Sequence, residues 1–108
     1  MLTDEHRYKV LRLLAEDPQL SQRALAGQLG LSLGKVNFLV QALIEKGLIK
    51  AENFRNHQNK SAYMYYLTPK GMKDKARVTL RFFQRKLAEY EQLKAEIEAL
   101  RRDAERTR

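Results

Sequence analysis

The sequence predicts a mainly α fold with one small β-hairpin, and three observations carry that prediction. Apolar residues recur at helical spacing from Asp4 to Lys46, interrupted at Asp17-Pro18 and at Gly30. The pattern then changes period: residues 48–54 and 62–67 are rich in aromatic, β-branched and other apolar side chains and enclose a polar stretch. From Pro69 a helical pattern resumes and nothing but Gly71 interrupts it as far as about Asp103.

Each element has its own start and stop signals. The first helix spans residues 4–16, with Thr3 as N-cap and Asp4 and Glu5 at the positive end of its dipole. Tyr8, Leu11 and Ala15 share a face, which Val10, Leu13 and Leu14 widen. Proline disfavours helical geometry in the residue before it, so Asp17-Pro18 ends the helix. A short second helix, residues 22–29, starts at the N-cap Ser21 and stops at Gly30. Ser32 caps a third helix over residues 33–46, with Val36, Leu39, Val40, Leu43 and Ile44 facing inward and Gly47 as its left-handed terminator. The polar run Arg55-Asn56-His57-Gln58-Asn59-Lys60-Ser61 is the loop of the hairpin. Thr68 and Pro69 then open the last helix as N-cap and first helical residue.

That last helix, about 35 residues long, extends about 50 Å at roughly 1.5 Å per residue, more than the preceding domain can cover. Phe83, Tyr90 and Ile97 repeat every seven residues, and Leu80, Leu87, Leu93 and Leu100 extend the seam, which shifts sideways midway. Burying it requires a partner helix or an antiparallel fold-back. The expected organisation is a compact unit over residues 1–70 followed by a coiled-coil-like dimerisation helix over residues 71–108.

The 108 residues include 21 Lys and Arg against 13 Asp and Glu, a formal charge of +8, which suits a polyanionic partner. There is no cysteine, hence no disulfide, thiolate metal site or cysteine nucleophile. No apolar run approaches the roughly 20 residues of a membrane span, and Met1–Glu5 lacks the layout of a secretion signal. A cytoplasmic protein is expected. His6 and His57 have no carboxylates at ligand spacing, and no nucleophile–base set or phosphate-cradling glycine loop is present. Metal, cofactor and catalysis are therefore not expected.

The segment Ser21–Val40 fits a helix-turn-helix: small residues in its first helix admit a close crossing, and Gly30 supplies the turn. Followed by a hairpin and a further helix, this is the order of a winged helix-turn-helix. Leu31-Ser32, Lys35-Val36 and Leu43-Ile44-Glu45-Lys46-Gly47-Leu48-Ile49 resemble the recognition helix and wing entry of the MarR family of bacterial regulators. Leu67-Thr68-Pro69-Lys70-Gly71 resembles that family's strand-to-helix junction. The likeness covers about residues 4–72, and within the family it is greatest to small regulators associated with exopolysaccharide synthesis. It implies a homodimer that binds double-stranded DNA. Family members usually carry a helix before the first one seen here, which joins the dimer interface and helps form an effector pocket. Its absence would leave dimerisation to the C-terminal helix and puts small-molecule sensing in question.

With the apolar face of the third helix turned inward, Gly34, Lys35, Asn37, Phe38 and Gln41 point outward and Ser32 stands at its start. A major groove about 12 Å wide admits a helix, where an Asn or Gln amide can pair with an adenine edge. Lys35 can reach a guanine edge or a phosphate, and Ser32 a phosphate. Phe38 has two readings, contact with a thymine methyl or extra core. In the loop, Arg55, His57 and Lys60 belong to a basic, amide-rich wing suited to the minor groove and to phosphates. Tyr63 and Tyr65 on one side of the second strand, with Met64 and Tyr66 on the other, read as packing residues. Lys70, Lys73, Lys75, Arg77, Arg81, Arg85 and Lys86 are either a track along the DNA backbone or a solvated surface. The expected function is a sequence-specific repressor acting as a homodimer on an inverted repeat. The alternative is a winged-helix protein-interaction module.

Overall fold

The computed structural model describes residues 3–55 and 61–107, the side chains of 54, 55, 61 and 62 excepted. Its elements are α1 (Asp4–Glu16), α2 (Gln22–Leu29), α3 (Leu33–Glu45), β1 (Ile49–Arg55), β2 (Ser61–Leu67) and α4 (Pro69–Arg106). The predicted fold class holds. The differences lie at the ends: α3 stops one residue early with Lys46 as its cap, β1 moves by one residue, β2 starts one residue earlier, and α4 continues to Arg106.

Local chemistry sets each helix start. The hydroxyls of Thr3, Ser21, Ser32 and Thr68 accept from the backbone N–H groups of His6, Ala24, Lys35 and Gly71 at 3.0–3.1 Å. These bonds satisfy donors that have no partner within the first turn. Gly30 and Gly47 end α2 and α3 with φ of 67° and 73°, a backbone region that a Cβ disfavours.

One core joins the head. Val10, Leu11 and Leu14 of α1 pack with Leu25 and Ala26 of α2, Val36, Leu39, Val40 and Leu43 of α3, and Leu48, Ile49 and Tyr65 of the hairpin. Burying side chains of this size contributes roughly 1.5–3 kcal/mol each before entropy is charged against it. Ala15, expected on the buried face, is exposed. The reason is the reach of α4, whose side chains meet Asp4, Arg7 and Tyr8 on α1 but leave that flank uncovered further along.

The antiparallel hairpin pairs Ile49 with Leu67 and Arg55 with Ser61 at its two ends. It is fastened to the head at two points. The Tyr65 N–H donates to the Pro18 carbonyl at 2.9 Å. The Gln22 amide donates to the Tyr65 hydroxyl at 3.2 Å. Tyr65 is buried, and Tyr63 stacks on it with centroids 6.3 Å apart while remaining 54% exposed. Tyr65 therefore serves packing, as the strand pattern predicts.

Helix α4 begins against the head and leaves it. Gly71, Asp74 and Val78 are buried. Phe82 stacks on Tyr8 with centroids 5.2 Å apart. Arg81 and Arg85 both reach the Asp4 carboxylate, at 3.1 and 3.5 Å. Beyond them the helix projects outward, and the molecule measures 69 Å along its longest axis.

Candidate nucleic-acid interface

The site is built on α3. Val36, Leu39, Val40 and Leu43 are completely buried, so the helix cannot rotate without emptying the core. The opposite face carries Gly34, Asn37, Phe38 and Gln41, all exposed, with Ser32 exposed at the start and Lys35 half-buried at the side. The structure thus brings together all six residues expected on this helix. Asn37 and Gln41 lie one turn apart.

Phe38 is 51% exposed, which removes the core reading proposed for it. The Lys35 ammonium lies over its ring, 5.5 Å from the centroid. This cation–π contact limits the freedom of both side chains at the centre of the outward face. A Cβ built on Gly34 meets nothing within 4 Å, so the first turn presents bare backbone to any approaching surface.

Arg55, His57 and Lys60 were expected on the wing. His57 and Lys60, and the side chain of Arg55, lie outside the described residues. Of the basic stretch on α4, five of seven residues engage their own chain: Lys70 with the Lys46 carbonyl, Arg77 with Asp74, Arg81 and Arg85 with Asp4, and Lys86 with Glu89. Lys86 also lies over the Phe82 ring at 5.3 Å. Lys70, Arg81 and Arg85 therefore fix α4 against the head, while Arg77 and Lys86 pair within α4. Sequence reasoning missed this, since Asp4 and the arginines it binds are far apart in the chain.

It also missed a second task for Thr68. Besides capping α4, its hydroxyl donates to the Gly47 carbonyl at 2.6 Å and lies 3.2 Å from that of Leu48. The exit of α3 and the entry of α4 are thereby tied at one residue. Among the described residues no group of three or more His, Asp or Glu is placed to hold a metal ion. Nor, among them, is any helix long and apolar enough to cross a membrane.

A family model described as winged helix-turn-helix DNA-binding matches residues 3–50. The PcaV transcriptional regulator of Streptomyces coelicolor is 25% identical, with a TM-score of 0.64 over 92% of this chain and 75% of that one. A MarR-family transcriptional regulator from Rhodococcus is also 25% identical, with a TM-score of 0.55 over 69% of this chain and 51% of its own length. The chain therefore has a winged helix-turn-helix fold and is similar to MarR-family regulators. A PadR-like transcriptional regulator from Bacillus cereus, 14% identical, shares the fold with a TM-score of 0.73 over 81% of this chain and 89% of that one. Comparison with curated proteins yields no match. In a fold of this kind α3 occupies the position of the second helix of the helix-turn-helix and β1–β2 that of the wing. The chain spans only about half of the Rhodococcus protein.

Proposed function

We propose that the chain is a transcriptional regulator that binds double-stranded DNA sequence-specifically, acting in the cytoplasm as a homodimeric repressor on an inverted repeat. The observation that carries this reading is the outward face of α3: hydrogen-bonding amides, an aromatic ring and bare backbone on a helix whose other face is locked in the core. In this reading residues 1–70 bind DNA and residues 71–108 dimerise. Ser32 and the N-terminal turn of α3 engage phosphate, Lys35 a guanine edge or phosphate, and Asn37 and Gln41 adenine edges. Arg55, His57 and Lys60 of the wing add minor-groove and phosphate contacts. Leu80, Phe83, Leu87, Tyr90, Leu93, Ile97 and Leu100, all exposed in the single chain, form the dimer seam. Two recognition helices about 34 Å apart would then meet successive turns of one face of the duplex.

Selection from a random pool of duplexes tests this reading. The expected result is an enriched palindrome bound with an affinity that falls steeply with salt, because Lys and Arg contacts release counterions. No enrichment, or salt-insensitive binding, would overturn it in favour of a protein-interaction module.

A further inference from the structure

We infer that two copies of α4 pair antiparallel, with the two-fold axis passing beside Tyr90. This rests on the homodimer reading above and goes beyond it by fixing direction and register.

The seam has a symmetry about its centre. Its exposed members are Leu80, Phe83, Leu87, Tyr90, Leu93, Ile97 and Leu100. Leu80 and Leu100, Phe83 and Ile97, and Leu87 and Leu93 stand at equal distances on either side of Tyr90. An antiparallel two-fold pair places each residue opposite its mirror position, so all seven meet an apolar partner only if the seam is symmetric in this way. The sideways shift at mid-seam then becomes the crossing point of the two helices, each half leaning toward the other copy's opposite half.

The surface shape agrees. Tyr90, Leu93, Lys94, Ile97 and Glu98 line a concavity of about 160 Å³. Residues 90, 93, 94 and 97 have the i, i+3, i+4, i+7 spacing of a hole that receives a knob from a facing helix. In the symmetric register that knob is Leu87 of the second copy.

Charge selects the direction. Residues 69–88 carry seven Lys and Arg against one Asp, whereas residues 92–108, which face them in this register, carry five Lys and Arg against four Asp and Glu. Parallel pairing sets the basic half of one copy beside the basic half of the other. Antiparallel pairing sets it instead beside a nearly neutral half, and avoiding like-charge juxtaposition discriminates between arrangements that bury the same apolar face. The head does not obstruct this packing. The α4 face that meets it, through Gly71, Asp74, Val78 and Phe82, lies about 110° round the helix from the Phe83, Tyr90 and Ile97 line, at roughly 100° per residue.

The chain has no cysteine, so single cysteines report the geometry directly. Phe83→Cys and Ile97→Cys are prepared separately, mixed under exchange conditions and mildly oxidised. In the antiparallel register, identical positions lie about 21 Å apart along the axis, whereas the mixed pair comes level. The expected result is at least tenfold more disulfide-linked dimer from the mixture than from either variant alone, with Tyr90→Cys linking to itself. Circular dichroism and unfolding midpoints confirm that each variant is folded. Self-linking by Phe83→Cys and by Ile97→Cys would overturn the antiparallel direction while leaving the homodimer intact. No linkage in any folded variant, with a monomer by sedimentation of the unsubstituted chain, would overturn both. The duplex selection reads DNA recognition independently of either outcome.

Discussion

The Lys70 ammonium donates to the Lys46 carbonyl at 2.9 Å, so the first turn of the projecting helix α4 closes the last turn of α3. The contact puts a cation where the α3 dipole is negative, and supplies a donor to a carbonyl that the helix leaves open. Lys70→Met is expected to lower stability by only about 0.5 kcal/mol. Its clearer sign is faster hydrogen exchange at the amides of the last α3 turn, with the first turn unchanged. Uniform exchange along α3 would remove this role from Lys70.

Gly71 is required by a close approach rather than tolerated as a weak helix residue. A Cβ there would stand 1.9 Å from the Leu48 carbonyl oxygen and 2.9 Å from its carbon, both backbone atoms. Neither can yield without moving the α3–β1 turn. Gly71→Ala should therefore destabilise the chain by about 3 kcal/mol or more, read as a lower urea midpoint. A midpoint within error of the parent would contradict the packing.

Asp74, 5% exposed, faces the Arg7 guanidinium at 3.5 Å across the α1–α4 contact. The contact is one of charge rather than an aligned hydrogen bond, since among the described residues Arg7 Nε and Asp74 Oδ2 have no hydrogen-bond partner. Removing one member leaves the other charge in a poorly solvated place. Asp74→Leu is expected to cost about 3 kcal/mol, and adding Arg7→Met should recover much of it. Equal losses from the single and the double variant would show that the pair itself contributes little.

For DNA recognition, Asn37→Ala and Gln41→Ala should narrow the gap between selected and scrambled duplexes by about 1–3 kcal/mol each. Arg55→Ala, in contrast, should weaken binding to all duplexes alike and flatten the salt slope by about one unit. Competition binding at several salt concentrations separates the two behaviours. Retained specificity in both helix variants would remove Asn37 and Gln41 from the reading face.

In the proposed complex, exposed Phe38 offers an apolar contact to a thymine methyl. Replacing single thymines in the selected site by deoxyuridine deletes only that methyl. One such position should lose affinity with the parent chain and be insensitive with Phe38→Ala. Equal losses for both proteins would assign the ring to another purpose.

Much of this molecule is legible in its sequence because the signals are local. Caps at Thr3, Ser21, Ser32 and Thr68, stops at Gly30 and Gly47, and the change of period after Gly47 act within a few residues, and they set the elements to within a residue or a few at their ends. The outward face of α3 is equally local, because helical spacing alone divides Val36, Leu39, Val40 and Leu43 from Asn37 and Gln41. Tertiary structure decided what depends on distant segments meeting. It turned Gly71 from an imperfection into a contact with Leu48, placed Arg81 and Arg85 on Asp4, left Ala15 uncovered and set Phe38 in solvent beneath Lys35. Hydrophobic pattern states which residues share the face a helix buries, but how much of that face is covered is set by the packing of whole elements, and no short stretch of sequence encodes it.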